Sequence, residues 1–223
     1  MNKTLTKIIN AVKFFYVQRV IGFDVPTEPH FDEDSIKLFN DKLKSCNHYL
    51  EWGTGGSTFA AAKLGKKFIA IDSDRFFLKA VKTKIINNGY ALKNDQVFYF
   101  ADIGLTKEWG QPLFQRQSKS RQRRWAMYSD IPVTKINSFS PDLVLIDGRF
   151  RVACALKALR YLHLKDGFTI LVDDYVDRSE YKEIERFANL VQLEGRMAVF
   201  KKKTNIDLIE LDYAIKEYIT DFR

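Results

Sequence analysis

The sequence contains few cysteines, glycines and prolines, and each shortage excludes a class of protein. Its 223 residues include only 2 Cys, 11 Gly and 5 Pro, which excludes disulfide-built, collagen-like and low-complexity chains. Cys46 and Cys154 lack metal-binding spacing, which indicates a reducing compartment and predicts a cytoplasmic protein. No run approaches the roughly 20 apolar residues of a membrane span. The remaining composition, with 46% hydrophobic residues, is typical of one globular domain.

Acidic residues are also in deficit. The chain has 28 Asp and Glu against 36 Lys and Arg, which gives a net charge of +8 and a basic protein. This balance favours an anionic partner: nucleic acid, an acidic membrane surface, or a phosphorylated or acidic substrate. Charge alone does not choose among them.

Residues 1–23 combine basic and apolar residues in a helical pattern. Lys13, Gln18 and Arg19 interrupt the apolar run and no cleavage site follows, so the segment is not a signal peptide. The apolar positions at helical spacing are Leu5, Ile8, Ile9, Val12 and Tyr16. We interpret the segment as an amphipathic helix that caps the core or contacts a second copy. The alternative is a helix lying on an anionic membrane, with the protein peripheral at its inner face.

Five short apolar runs alternate with helical patterns along the chain. The runs are HYLEW (48–52), KFIAID (67–72), QVFYFA (96–101), DLVLID (142–147) and FTILVD (168–173). Helices are expected at 58–64, 75–88, 152–164, 179–188 and 207–218, and a further short helix over DSIKLFNDKL is expected to be capped by Asp34 or Ser35. A turn at Glu194, Gly195 and Arg196 separates two further runs. The pattern predicts an α/β, doubly wound, Rossmann-like fold with five parallel strands, a C-terminal antiparallel β-hairpin and helices on both faces.

The first strand runs into a glycine-rich turn, EWGTGGST, before a helix. A dinucleotide fold would require G-x-G-x-x-G at this place, with the pyrophosphate against the helix N-terminus. The third glycine is missing, and Glu51 precedes the turn. A carboxylate there would repel a pyrophosphate but suits a cationic ligand.

The next two strands end in carboxylates. Asp72, followed by Ser73, stands 19 positions after Gly53 and can accept hydrogen bonds from ribose hydroxyls. Asp102 could accept from an adenine amino group while Ile103 packs on the ring. Three carboxylates around a nucleoside without phosphates describe S-adenosylmethionine better than NAD.

This ordered set of strand ends resembles the class I S-adenosylmethionine-dependent methyltransferases over residues 47–203. The resemblance implies S-adenosylmethionine as cofactor, with Glu51 near its amino group, Asp72 at the ribose and Asp102 at the adenine. The cofactor-binding residues it implies are Glu51, Gly53, Thr54, Gly55, Gly56, Ser57, Asp72, Ser73, Asp102 and Ile103. Residues 1–46 then form an N-terminal helical segment, 47–203 a methyltransferase domain with an insertion at 105–139, and 204–223 a C-terminal helix.

The fourth and fifth strand ends should face the transferred methyl group. In metal-dependent O-methyltransferases a divalent cation such as magnesium is bound at positions that Asp147, Asp173 and Asp174 match. Gly148-Arg149-Phe150-Arg151 departs from the catechol enzyme's sequence, and its arginines could replace the metal's charge or clamp a substrate phosphate or carboxylate. Metal dependence therefore stays open. The candidate catalytic residues are Asp147, Arg149, Arg151, Asp174 and Tyr175, with Asp147 and Asp174 as bases and Tyr175 orienting the acceptor.

The insertion at 105–139 has no clear period and contains a basic run, 116–125. Its five cations lie beside Trp125 and Tyr128, which indicates phosphate contacts and base stacking, a solvated loop, or a lid over an anionic substrate. No N-P-P-Y, D-P-P-Y or Pro-Cys motif of base methylation is present. We therefore expect an anionic small-molecule or glycan acceptor, methylated on a hydroxyl. An RNA methyltransferase and a non-catalytic binding protein at a membrane surface remain the alternatives, and the oligomeric state is not indicated.

Overall fold

A seven-stranded sheet forms the centre of the computed structural model, which describes residues 3–132, 134 and 139–223. Its strands are β1 (His48–Trp52), β2 (Lys67–Asp72), β3 (Gln96–Phe100), β4 (Leu143–Ile146), β5 (Thr169–Val172), β6 (Ala188–Glu194) and β7 (Met197–Lys202), in the order β3-β2-β1-β4-β5-β7-β6. The first five pair in parallel, and β7 pairs antiparallel with both β5 and β6. The predicted doubly wound sheet with its C-terminal hairpin is confirmed.

Helices cover both faces of the sheet. They are α1 (Lys3–Tyr16, continued by a π-helical turn, Val17–Ile21), α2 (Glu33–Ser45), α3 (Gly56–Lys63), α4 (Arg75–Asn87), α5 (Lys119–Tyr128), α6 (Arg151–Tyr161) and α7 (Leu208–Tyr218), with 3₁₀ helices at Glu108–Gly110 and Ser179–Arg186. Strands β4 and β5 are buried along their whole length because both faces are covered, which explains their uninterrupted apolar sequences. No helix in the described ranges is long and apolar enough to span a bilayer.

Several predicted helix boundaries were wrong by a few residues. Helix α2 is capped by Asp32, whose Oδ1 accepts from the Ser35 amide at 3.0 Å, and not by Asp34 or Ser35. The helix expected at 179–188 is a 3₁₀ helix that ends at Arg186, because Ala188 already belongs to β6.

The insertion at 105–139 contains a helix where the sequence showed no period. Helix α5 starts after Ser118, whose hydroxyl accepts from the Arg121 amide at 3.4 Å. Only Trp125 and Tyr128 bury large apolar side chains from this basic helix, and two positions are too few to reveal a repeat. Residues 133 and 135–138 of the insertion lie outside the described residues.

The strand order reverses between β1 and β4, where ligands of open parallel sheets bind. Gly53, directly after β1, has φ +93°, and a Cβ there would lie 2.6 Å from the Gly148 nitrogen beyond β4. A Cβ on Gly148 would lie 2.1 Å from the Tyr128 hydroxyl. The two glycines therefore allow the β1 and β4 loops to pack directly against each other at the switch point.

Candidate cofactor and acceptor site

Glu51 is fully buried at the carboxyl end of β1 and uses only one of its oxygens. Its Oε2 accepts from the Tyr49 hydroxyl at 2.8 Å and from the Ser57 hydroxyl at 2.7 Å. Its Oε1 is buried without a hydrogen-bond partner in the described part of the chain. The Thr58 hydroxyl accepts from the Gly55 amide at 3.0 Å and lies close enough to Glu51 to favour its ionised form.

Burial raises the pKa of Glu51 to about 7, although the hydroxyls of Thr58, Ser57 and Tyr49 favour the ionised form. A buried acceptor without a donor costs about 1–3 kcal/mol, and more when it is charged. Glu51 is therefore an acceptor that a cationic donor would stabilise.

The three glycines of the turn have different surroundings. Gly53 packs against the β4 loop, and a Cβ on Gly56 would lie 1.9 Å from the Glu28 carbonyl oxygen. Gly55 has nothing within 4 Å of its Cβ position. Of the predicted cofactor loop, Gly55 is thus the glycine with open space beside it, where a ligand could approach the backbone.

Asp72 fixes the same turn from the end of β2. Its Oδ2 accepts from the Thr54 amide at 2.9 Å and the Thr54 hydroxyl at 2.8 Å, and its Oδ1 accepts from the Asp74 amide at 2.9 Å. Burial raises its pKa. A carboxylate has about four acceptor positions, so one remains for a ribose hydroxyl. The assignment of Asp72 to the ribose stays a prediction.

A cavity of about 270 Å³ lies beyond the ends of β2 and β3. Ser73 and Asp102 both line it. Asp102 is half exposed, accepts from the Gly104 amide at 2.9 Å and lies 3.9 Å from Arg124 of α5. Ile103 is buried in the apolar core, so a contact with adenine would involve a core side chain. The cavity is the place where the sequence predicts the adenine end of the cofactor.

Three aspartates gather around Arg151 at the ends of β4 and β5. The guanidinium is almost fully buried and lies 3.1 Å from Asp147 Oδ1 and 3.2 Å from Asp174 Oδ2. It also donates to the Asp173 carbonyl at 2.5 Å and to the Gly148 carbonyl at 3.0 Å. With four acceptor groups in contact, Arg151 holds the two strand ends together and has little capacity left for a substrate.

Arg196 supplies a second cation to this cluster. From the sequence it is predicted only as part of a turn. Its Nε lies 3.0 Å from Asp173 Oδ1 and 3.2 Å from Asp174 Oδ1. Its other end donates to the His30 carbonyl, and its amide donates to Asp32 at 3.1 Å. The antiparallel pairing of β5 with β7 brings this turn to the strand ends; the hairpin pattern was the one signal that could have found it.

These contacts decide whether the aspartates fit the divalent cation that O-methyltransferase resemblance implies. Asp147, Asp173 and Asp174 each contact a guanidinium group, which a cation would have to displace. No group of three or more His, Cys, Asp or Glu side chains in the described ranges is placed to hold a metal ion. The donor set fits arginine rather than magnesium.

Burial raises the pKa of Asp147, and the neighbouring carboxylates Asp173 and Asp174 act in the same direction, while Arg151 opposes them. A base of raised pKa is better matched to proton transfer near neutrality than an ordinary aspartate. Asp174, with φ +54°, is held in the left-handed region between Arg151 and Arg178.

The two remaining candidate catalytic residues, Arg149 and Tyr175, have different surroundings. Arg149 is half-buried, and its guanidinium has no ion pair among the residues that the structure describes. Burial lowers its pKa, and the nearby charge of Arg151 lowers it further. Tyr175 is turned away from the aspartates: its hydroxyl donates to Glu185 at 2.5 Å and its ring packs on Phe200.

The N-terminal segment crosses the site, which the sequence did not indicate. The Glu28 carbonyl lies over Gly56, His30 contacts Arg196, and the His30 ring lies 5.7 Å from the ring of Trp109. Trp109 has φ +61° and is largely exposed. The N-terminal segment thus packs against the glycine turn at Glu28 and contacts Arg196 and Trp109 through His30.

The basic helix α5 does not present its aromatic residues to a ligand. Trp125 and Tyr128 are buried in the core, where Trp125 contacts Phe222 and Tyr128 contacts Phe150. The interpretation of these two side chains as stacking partners beside the cations was therefore wrong. They anchor the helix. Among its cations, Lys119 and Arg123 are exposed on the outer side, while Arg124 lines the cavity beside Asp102.

Comparisons with known proteins support the fold. A scan against family models finds no match, and a search of curated proteins finds none. Among solved structures, a methyltransferase-like protein from Silicibacter pomeroyi is 29% identical with a TM-score of 0.70, covering 88% of this chain and 100% of its own. A structure described under the conversion of a disulfide bond into a thioacetal group during echinomycin biosynthesis is 14% identical with a TM-score of 0.50, covering 95% of this chain and 99% of its own.

An O-methyltransferase of Streptomyces achromogenes, solved in complex with S-adenosylmethionine, is 15% identical with a TM-score of 0.49 and covers 91% of each chain. The likeness to the Silicibacter protein extends over the whole length of that protein. Together with the strand order and the confirmed hairpin, it shows that this chain has the fold of the class I S-adenosylmethionine-dependent methyltransferases.

Proposed function

We propose that the protein transfers a methyl group from S-adenosylmethionine to a hydroxyl of an anionic small-molecule or glycan acceptor. The observation that carries the proposal is the unpartnered, buried Oε1 of Glu51 beneath the glycine turn. An ammonium group donates hydrogen bonds without accepting any, and its positive charge would supply the counter-ion that this buried carboxylate lacks. The amino group of S-adenosylmethionine satisfies both requirements.

The neighbouring residues complete a nucleoside site. Thr54 and Gly55 would face the cofactor's amino-acid part, Asp72 would accept from a ribose hydroxyl, and Asp102 from the adenine amino group. None of these positions contributes a phosphate-binding cation next to the turn. The bound cofactor supplies an electrophilic methyl group on a sulfonium; the protein's part is to align the acceptor oxygen with it.

Asp147 is the proposed general base. In its ionised form it takes the proton of the acceptor hydroxyl as the oxygen–methyl bond forms and the sulfur–methyl bond breaks. The products are a methyl ether, S-adenosylhomocysteine and a protonated Asp147. Its raised pKa supports this role, and Arg151 holds the carboxylate in place at 3.1 Å. Asp174, on the other side of Arg151, is the alternative base.

Arg149 supports an anionic acceptor. Its neighbour Arg151 is saturated by aspartates, whereas Arg149 has no carboxylate partner in the described residues. A phosphate or carboxylate on the acceptor would supply that partner through a bidentate contact. An RNA acceptor is the second candidate, favoured by the exposed cations on the outer side of α5.

The test is calorimetric titration with S-adenosylmethionine and S-adenosylhomocysteine. Wild type should bind both. Glu51→Gln should lose affinity by about tenfold or more, since a charge-assisted hydrogen bond is worth roughly 1.5–3 kcal/mol. Glu33→Gln, the same change at an exposed position in the first turn of α2, should bind as wild type does. Absence of binding in wild type would contradict the proposal and favour a non-catalytic protein.

The acceptor class is tested by methyl transfer to a cell extract separated into small molecules, glycans and RNA. Label in the small-molecule or glycan fraction supports the proposal. Label confined to RNA would move the second candidate to first place, and binding to that RNA should then weaken steeply with salt.

A further inference from the structure

Helix α1 and the π-helical turn expose a continuous apolar stripe that the proposed function does not use. The stripe consists of Ile9, Val12, Tyr16, Val20 and Ile21, all exposed. Ile9, Val12, Tyr16 and Val20 follow at spacings of three and four residues, so they share one face. Val12 is 62% exposed and Val20 66% exposed. A packing helix would turn such a face inward.

The opposite face of the same segment is fixed to the domain. Gln18 is buried and donates to Asp74 Oδ2 at 2.6 Å, next to the first turn of α4. The Phe14 ring lies 5.9 Å from Phe23, which lies 5.2 Å from Phe77. The helix is therefore held by one side, and this attachment leaves the stripe directed outward.

The charges around the stripe are of one sign. Residues 1–23 contain Lys3, Lys7, Lys13 and Arg19 and no Asp or Glu. Lys13 and Arg19 are exposed, and their helical positions border the stripe on its two sides. Arg19 also lies over the rings of Phe15 and Phe76 and lines the cavity beyond β2 and β3, so of the two, Lys13 is the cation that faces only the stripe. A second exposed apolar pair on a helix, Ile209 and Tyr213 of α7, lies in a segment with Glu210, Asp212 and Glu217, although Lys216 lies 5.3 Å from the Tyr213 ring.

From this combination we infer that α1 docks on an anionic lipid surface, with the stripe inserted among the acyl chains and the lysines and arginine at the headgroups. An interfacial helix has an apolar face bordered by cations, and binds through buried apolar area together with attraction to acidic lipids. A second copy of the chain would bring the same cations against each other, so it suits the stripe less well. The bilayer is contacted and not crossed.

Cosedimentation of the full chain with vesicles tests this inference. Wild type should sediment with phosphatidylcholine vesicles that contain phosphatidylglycerol and not with phosphatidylcholine alone. Val12→Asp/Val20→Asp should reduce the partition by at least about tenfold, because each valine loses its favourable transfer and each new carboxylate is repelled. Ile209→Asp, the same chemical change at a site 71% exposed, should bind as wild type does.

Circular dichroism melting curves should show the double variant folded, since both valines are exposed. Failure of wild type to bind the acidic vesicles would overturn the inference, as would equal losses in the Ile209→Asp control. Sedimentation velocity without lipid distinguishes the other occupant. A wild-type dimer that the double variant converts to a monomer would also overturn it, by assigning the stripe to a second copy.

Discussion

The two carboxylate regions of the site differ in whether the protein itself supplies positive charge to them. At the end of β1, Glu51 is buried with one oxygen unpartnered, and it forms no ion pair with the residues that the structure describes. At the ends of β4 and β5, Asp147, Asp173 and Asp174 are already paired with Arg151 and Arg196. The first region lacks a cation that a ligand can bring, and the second contains its own. A cationic cofactor on one side and an anionic acceptor on the other would fit this difference.

Among the variants, removal of the Arg151 guanidinium should change the free energy of unfolding most. Arg151→Met should lower the free energy of unfolding by about 3–5 kcal/mol, because it leaves Asp147 and Asp174 without their buried counter-ion. Chemical denaturation at neutral pH measures this loss. Arg178→Met removes a partly exposed partner of Asp174 and should cost less than about 1 kcal/mol. Similar losses in the two variants would show that Arg151 does not hold the strand ends together.

The region around Glu51 should make stability depend on pH. Burial raises the pKa of Glu51 from 4.5 to about 7, so between these values the folded protein binds more protons than the unfolded chain. Stability conferred by the protonated form is therefore lost as pH rises from 4.5 through 7, by up to about 3 kcal/mol.

Without cofactor, the difference in unfolding free energy between Glu51→Gln and wild type should grow over this pH interval and then level off. Denaturant titrations at several pH values measure it. A difference that does not change with pH would mean that Glu51 is ionised throughout, and the contrast between the two regions would disappear.

Substitution of Gly148 and of Gly55 by alanine should distinguish a packing role from a role in ligand binding. Gly148→Ala should cost about 1–3 kcal/mol, since its Cβ would lie 2.1 Å from the Tyr128 hydroxyl and 2.9 Å from the Gly53 nitrogen. Gly55→Ala enters open space and should change stability by less than about 1 kcal/mol while weakening cofactor binding. Thermal melting and titration of both variants measure this pair. Full cofactor affinity in Gly55→Ala would show that the ligand does not approach the turn there.

The smallest effect on stability is expected at Arg149. Arg149→Met should change the free energy of unfolding by less than about 0.5 kcal/mol, because no ion pair of the described chain is lost. Once an acceptor is known, the same variant should raise its KM more than it lowers kcat. An unchanged KM would remove Arg149 from the acceptor site.

The sheet and its glycine turn were predictable because local signals specify them. Apolar runs bounded by turns marked the strands, and Glu194, Gly195 and Arg196 marked the hairpin. The strand-end carboxylates could be found for the same reason, since parallel strands end at one edge of the sheet.

The charge pairing was not predictable, because it depends on contacts between distant segments. Arg196 meets Asp173 only through the antiparallel pairing of β5 and β7, and Asp32 reaches Arg196 from the N-terminal segment. The orientation of Tyr175 toward Glu185 also depends on how the 3₁₀ helix packs. A single sequence without these contacts left metal dependence at the aspartates open.

If Glu51 binds the cofactor's ammonium group, cofactor binding should release a proton from its carboxyl group. Because Glu51 has a pKa of about 7 when buried alone, an ammonium partner should ionise it and release a proton at pH below 7. Calorimetry in two buffers of different ionisation enthalpy counts that proton. We predict release with S-adenosylhomocysteine, none with 5′-methylthioadenosine, which lacks the amino-acid part, and none with Glu51→Gln. Equal proton exchange for the two nucleosides, or release that persists in Glu51→Gln, would show that Glu51 does not bind the ammonium group.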